Sequence, residues 1–323
     1  MARYLLNKLG QFAAVLFIAV TINFLLPRAM PGSPLSLLAG EEAGSLTGGE
    51  RQRLLREAGL DRPLHEQYLR YLGDLARGDL GTSLSRRQPV AAILLDRLPW
   101  TLLLTGSALV LTTVIGTIAG AVVGWRRGGT LDVAALGLFL VLESLPAFWL
   151  AMLAVAILAV QFPLFPTFGA RDVAAQLQGP AYWLDVAHHL VLPVSVLTLV
   201  SVSATFLTMR ASMTSVLGEE YIQVARAKGL SGRQVLFRHA LRNALLPVAT
   251  VTMLNLGQLV AGATVIETVF SYPGIGRMMY EAATTRDYPL LQGGFLLLTV
   301  SVVLANLISD LIYPLLDPRV TRG

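Results

Sequence analysis

Phosphate transfer, metal chemistry and acyl transfer each need particular residues at fixed spacings, and this sequence holds none of those sets. Its only lysines are Lys8 and Lys228. Neither follows a glycine, so there is no G-x-x-x-x-G-K-[ST] loop to cradle a nucleotide. The histidines are His65, the adjacent His188 and His189, and His239. They form no H-E-x-x-H pair and no metal-ligand pattern with a carboxylate. The absence of cysteine removes disulfides, thiolate metal sites and cysteine nucleophiles. A G-x-S-x-G elbow is also missing. No catalytic set, metal site or cofactor is expected on this chain.

Polar groups within apolar stretches remain, and these are the default pointers to function where a chain crosses a membrane. Glu143 stands eleven residues beyond Asp132, about 16 Å along a helix, which puts it near the middle of a span. Pro146 follows three residues later and interrupts the helical hydrogen-bond ladder. A kink beside an acid can line a substrate path, and an acid bonded to a neighbouring helix fits equally well. Asn255 and Gln258 are one turn apart on one face, suited to an interhelical hydrogen bond or to lining a path. His188 and His189 open an apolar stretch, where interfacial placement is expected.

These groups need elements to hold them, and the composition says in what solvent. Of 323 residues, 54% are hydrophobic and 14% charged, with mean hydropathy +0.62. That describes a chain built for lipid. Six stretches approach the roughly 20 apolar residues needed to cross a bilayer: 9–26, 99–125, 133–162, 187–209, 244–268 and 289–313. The second carries Gly106, Ser107, Thr112, Gly116, Gly120 and Gly124, small residues that permit close helix contact in a packed bundle.

Lys and Arg in short connections set the orientation. With the N-terminus inside, the cytoplasmic segments hold twelve: Arg3, Lys8, Arg126, Arg127, Arg210, Arg226, Lys228, Arg233, Arg238, Arg242, Arg319 and Arg322. The two short external loops hold Arg171, Arg277 and Arg286. The long segment from Arg28 to Arg97 carries ten more, nearly balanced by nine acids, and long loops translocate largely regardless of charge. N-in, C-in is the consistent topology. The net charge of +5 is distributed around the spans, and no nucleic-acid partner is expected. The first stretch is long for a signal-peptide core, and only Pro27, Arg28, Ala29, Met30 and Pro31 follow it, so an uncleaved helix is expected.

Between the first two spans, Leu54, Leu55 and Ala58, then Leu64, Tyr68, Leu69, Tyr71, Leu72 and Leu75, recur at helical spacing among charges. Short amphipathic helices are expected there, as a cap on the outer ends of the bundle or as a docking surface. The connection from Arg210 to Asn243 reads as helix, elbow, helix. Glu219 and Glu220 open the first helix, favourable for its dipole. Tyr221, Val224 and Ala225 share a face, and Lys228 lies near the end. Gly229 is a C-cap, and Ser231 an N-cap for the next helix, which carries Val235, Leu236, Arg238, Ala240 and Arg242. Pro247 marks re-entry into the bilayer. A projecting amphipathic helix can fill a groove on a cytosolic partner or lie on the lipid surface.

The run from Glu220 to Leu230, E-Y-I-Q-V-A-R-A-K-G-L, continuing through Arg238-His239-Ala240-Leu241-Arg242-Asn243 to Pro247, resembles the permease subunits of oligopeptide, dipeptide and nickel ABC importers. The resemblance extends to Glu267 through Gly276, Arg286 through Pro289, Gly59 through Leu64, Arg77 through Gly81 and Pro146 through Leu150, and so covers nearly the whole chain. Against the wider pattern E-A-A-x-x-x-G, Gln223 and Val224 stand where Glu and Ala are usual, and eighteen steps separate Gly229 from Pro247. Glu143 replaces a small or apolar residue before the proline.

The resemblance implies an all-α integral membrane fold, the type I ABC importer transmembrane domain with six transmembrane helices. It divides into a first helix (1–27), an extracytoplasmic segment (28–98), an importer core (99–313) with a cytoplasmic coupling region (210–246), and a cytoplasmic tail (314–323). It implies a bacterial or archaeal cytoplasmic membrane, a homologous second permease, an extracytoplasmic substrate-binding protein, and two cytosolic ATPases that bind ATP and Mg. The ATPases would dock on Glu219, Glu220, Tyr221, Val224, Ala225, Ala227, Lys228, Gly229 and Leu230. Peptides are the leading substrate, with nickel chelates, glutathione-like compounds and oligosaccharides as alternatives. Glu143, Asn255 and Gln258 would lie on the substrate path. The rival is an ion-coupled secondary transporter acting alone, with Glu143 as the ion or proton site.

Overall fold

The computed structural model describes residues 2–29, 47–57, 61–256, 259 and 263–316, and most of them are helical. In chain order the helices are α1 (Ala2–Ala29), α2 (Gly48–Glu57), α3 (Leu64–Ala76), α4 (Val90–Trp125), α5 (Thr130–Ser144), α6 (Ala147–Ala154, continued by a π-helical segment, Val155–Gln161), α7 (Pro180–Val216), α8 (Glu220–Ala227), α9 (Gly232–Gln234, continued by a π-helical segment, Val235–Ala240), α10 (Leu241–Leu256), α11 (Thr264–Val269), α12 (Ile275–Thr284) and α13 (Tyr288–Leu316). The tail beyond residue 316, Gly59, Leu60 and the Pro31–Pro34 stretch lie outside the described residues.

The expected stretches 9–26, 99–125, 187–209 and 289–313 each fall on a single helix, 133–162 is divided between α5 and α6, and the described part of 244–268 is divided between α10 and α11. Among the described residues, α4, α7 and the Tyr288–Ile308 part of α13 are long and apolar enough to cross a membrane, and the pair α5–α6 makes a fourth when taken as one span. The apolar stretch Gly10–Leu25 within α1 is shorter, and α10 has 16 residues. The third stretch is not the continuous, merely kinked helix the sequence led us to expect. It is broken, with 95° between its halves. Pro146 has no N–H and drives its predecessor out of helical geometry; Leu145 is extended at φ −77°, ψ 128°. Pro247, by contrast, sits inside continuous helix.

The chain forms two compact units. The larger comprises residues 102–259, 265–272 and 305–323. Within it α4 approaches α7 closely, made possible by glycine. A methyl group on Gly116, Gly120 or Gly124 would stand 2.8, 2.6 or 2.9 Å from the nearest atom of α7, whereas Gly106 has nothing within 4 Å. Three of the four glycines on α4 thus serve close approach. In the first turn of α5, Asp132 is buried and takes two hydrogen bonds from the Arg210 guanidinium on α7, Nε to Oδ1 at 2.6 Å and an Nη to Oδ2 at 2.9 Å. The Gly128 N–H adds a third at 3.0 Å. Farther along, Ser203 donates to the Phe139 carbonyl at 2.8 Å, and the Phe139 and Phe206 rings stack with centroids 3.9 Å apart.

The smaller unit comprises residues 1–101, 260–264 and 273–304. Amphipathic α3 packs on α1 as its pattern predicts, but only by part of the expected face. Tyr68 meets the Phe24 ring edge-on at 5.1 Å and its hydroxyl pairs with Thr21 at 2.6 Å, while Leu64 and Leu69 are exposed. Asn23 and Gln292 exchange side chain to backbone hydrogen bonds, both 2.9 Å. Val90, Ile93, Leu94, Ile275, Met278 and Leu290 form the core.

Beside that core, fully buried Asp287 accepts from Ser83 Oγ at 2.5 Å, Ser85 Oγ at 2.6 Å, Ser85 N–H at 3.0 Å and Leu290 N–H at 3.2 Å. Burial works to raise its pKa. The hydrogen bonds from Ser83, Ser85 and Leu290 outweigh burial and hold the carboxyl below its ordinary value.

Candidate functional site

The connection between α7 and α10 folds as helix, elbow and helix, all within the larger unit. Glu219 is the extended N-cap residue of α8. Eight residues on, the helix closes in a Schellman motif. Gly229 is left-handed at φ +80°, its N–H reaches the Arg226 carbonyl at 2.9 Å, and the Leu230 N–H reaches the Ala225 carbonyl at 3.3 Å. Leu230, half-buried, packs on the same cluster as Ala225.

The next helix begins two residues later with a capping box. The Ser231 N–H donates to Gln234 Oε1 at 2.9 Å and the Gln234 N–H donates to Ser231 Oγ at 3.4 Å. The two caps fix the angle of the elbow.

The elbow presents two faces. Ile222 (0% exposed) and Ala225 (5%) pack against Met213, Leu217, Val235, Ala240 and Ala244. Tyr221 (40%) and Val224 (52%) face outward, flanked by exposed Glu220, Ala227 and Lys228. The expected grouping of Ala225 with Tyr221 and Val224 on a projecting face is therefore corrected. At 100° per residue Ala225 lies about 40° around the helix from Tyr221, and the boundary with the core runs between them. Tyr221 is further steadied by Asn243, whose side-chain amide donates to its hydroxyl at 2.9 Å. The Arg226 guanidinium lies 5.9 Å over the Trp125 ring. What the arrangement can do is offer a small apolar knob, ringed by charges of both signs, on a rigid mount.

Of the three polar groups assigned to a substrate path, two lie among the described residues. Glu143 is exposed on the last turn of α5, next to the break, and forms no hydrogen bond or ion pair among the described residues. Asn255 is half-buried near the end of α10, and Gln258 lies outside the described residues. His188 contacts the Leu164 carbonyl at 3.0 Å through Nε2, and His189 contacts Asp185. Sequence reasoning missed the Asp132–Arg210 pair, whose partners are 78 residues apart. The one available signal was an acid and a base at the ends of two apolar stretches.

Two family models match the chain. One, described as binding-protein-dependent transport system inner membrane component, covers residues 113–322. Its N-terminal companion covers residues 1–105. The chain belongs to this family.

The permease is 38% identical over 338 residues to the dipeptide transport system permease protein DppB of Escherichia coli, with 99% of each chain covered. It is 35% identical over 334 residues to the di/tripeptide transport system permease protein DppB of Pseudomonas aeruginosa. To the oligopeptide transport system permease protein AppB of Bacillus subtilis it is 32% identical over 321 residues. In both of these, too, 99% of each chain is covered. As a permease of this family it is a multi-pass protein of the cytoplasmic membrane.

Proposed function

We propose that this permease is the pore-forming subunit of an ATP-driven importer that moves short peptides, dipeptides first among them, from an extracytoplasmic binding protein into the cytoplasm. Full-length similarity to permeases named for dipeptide, di/tripeptide and oligopeptide transport supports the substrate class. Both termini are cytoplasmic, residues 28–98 form the extracytoplasmic segment, and residues 99–313 form the importer core together with a homologous second permease. ATP and Mg are bound by two separate ATPase subunits. The lack of any phosphate-binding loop in this sequence fits that division of labour.

The observation that carries the coupling assignment is the Tyr221–Val224 knob on its doubly capped elbow. An ATPase seats on it across residues 219–230, within the coupling region 210–246. Nucleotide binding and hydrolysis then shift the pore between outward- and inward-facing populations by moving a rigid lever rather than a flexible loop. Glu143, exposed beside the broken third span, lines the substrate path.

The test contrasts two neighbours. Val224→Arg places a charge on the outer face and should abolish recovery of ATPase subunits with the tagged permease while leaving thermal stability unchanged. Ala225→Arg drives a charge into the core of the elbow and should lower stability as well. Undiminished ATPase recovery and peptide uptake with Val224→Arg would reject the docking assignment.

A further inference from the structure

A cavity of about 600 Å³ opens where α4 runs beside the α9–α10 arm, entirely within the larger unit. Its size is that of a small-molecule site, but its chemistry is divided lengthwise. Ile118 and Val122 of α4 and Phe237 and Leu245 of the arm form apolar walls, and all four are exposed, at 61%, 46%, 59% and 37%. Arg126 and Arg233 line the same cavity. Both guanidiniums are exposed, and neither meets a carboxylate among the described residues. Arg233 does no more than lie 6.0 Å over the Phe237 ring.

The direction of this division is set by α4. Its apolar run ends at Trp125, a residue type favoured at the membrane–water boundary, and Arg126 is the next residue. Ile118 and Val122 lie about 12 and 6 Å deeper along the helix axis than Arg126. The cationic end therefore sits at the level of lipid headgroups and the apolar walls at the level of acyl chains.

We propose that this cavity is a binding site for an anionic phospholipid, one acyl chain lying along Ile118, Val122, Phe237 and Leu245 and the headgroup phosphate held by Arg126 and Arg233. Guanidinium forks match phosphate oxygens bidentately, and basic pockets between membrane helices select such headgroups. A zwitterionic lipid brings its own ammonium to two uncompensated cations. An apolar helix of another subunit would cover the walls but leave both charges unanswered. Occupancy would brace the Gly232–Phe237 arm, which begins three residues beyond the Gly229 elbow. The inference rests on α4 spanning the membrane and is independent of the peptide substrate and of ATPase docking.

The test uses the intact transporter, delipidated and given phosphatidylglycerol or phosphatidylcholine, with retained lipid read by native mass spectrometry. The wild type should retain one more phosphatidylglycerol per copy of this chain than the Arg126→Gln/Arg233→Gln variant, and no extra phosphatidylcholine. Retention should fall about tenfold per arginine removed. A benzophenone at position 237, with both arginines intact, should cross-link to lipid, which keeps the test decisive should the variant complex assemble poorly. Equal loss of lipid from Arg70→Gln/Arg77→Gln, which removes the same charge elsewhere, would overturn the proposal. So would cross-linking to another subunit alone, or displacement of the lipid by glycerol phosphate lacking acyl chains.

Discussion

Gly120→Ala adds a single methyl group to α4, and the structure says where it goes. The new Cβ would stand 2.6 Å from the Phe206 carbonyl oxygen, 2.8 Å from Met209 Cβ and 3.1 Å from the Arg210 nitrogen, when ordinary contact begins near 3.4 Å. Two of those three atoms are backbone, so no rotamer change relieves the clash, and α4 and α7 must part locally by nearly 1 Å. Overpacking of this kind costs about 1–3 kcal/mol. Replacing glycine by alanine inside a helix returns about 1 kcal/mol. Because the clash is with backbone, the cost falls in the upper part of that range, and the net loss of about 1–2 kcal/mol corresponds to roughly a five- to thirtyfold shift in the folding equilibrium.

The loss should be felt in full, because helix association in lipid depends on close packing rather than on hydrophobic exclusion. The assay is thermal unfolding of the detergent-solubilised permease followed by gel filtration, with Gly106→Ala as the internal reference. Gly106 lies on the same helix with open space around it, so its substitution should be neutral or stabilising. A Gly120→Ala protein as stable as wild type, or a Gly106→Ala protein equally damaged, would refute the reasoning.

The Asp132–Arg210 clamp should show non-additive coupling. Arg210→Lys loses the forked geometry and lowers the melting temperature, Asp132→Ala lowers it further, and the exchange Asp132→Arg/Arg210→Asp recovers stability beyond the sum of its single changes; simple additivity would argue against a specific pair. Asp287 should make stability acid-sensitive. Its folded pKa lies below the unfolded value, so its contribution is complete above about pH 4 and disappears as pH falls through the lower, folded value. A pH series of melts should show an acid limb that Asp287→Asn flattens. Gly229→Ala forces a side chain into left-handed geometry at about 1–2 kcal/mol, and Gly229→Pro also deletes the N–H that reaches Arg226. Amide exchange across 220–228 should quicken in that order, and unchanged protection in the proline variant would contradict the capping role.

Local chemistry was legible in the sequence and long-range pairing was not. Apolar length located the long helices α4, α7 and α13, the run Gly116, Gly120, Gly124 announced a close helix contact, and Gly229 followed by Ser231 announced the elbow, because each signal lies within a few residues of its effect. The face of α8 was misjudged for Ala225 because an eight-residue helix gives too few positions to fix the edge of its buried stripe. Pro146 promised a kink, but the 95° turn depends on what the following helix packs against. Asp132 with Arg210, and Asp287 with Ser83 and Ser85, join residues 78 to 204 positions apart, and nothing in the spacing of either partner points to the other. The π-helical stretch Val235–Ala240 carries no recognisable sequence signal.

The break between α5 and α6 also bears on how the permease is made. Backbone groups at the facing helix ends have no partner within their own helices, and at hydrocarbon depth each such group left unsatisfied costs several kcal/mol. A newly inserted copy that has not met its neighbours therefore carries an exposed polar seam, with Glu143 beside it. Such a copy is poorly dissolved in lipid and open to membrane-bound proteases. Cells that overproduce this permease alone should degrade the surplus, and its half-life should lengthen when the second permease proposed as its partner is made alongside it.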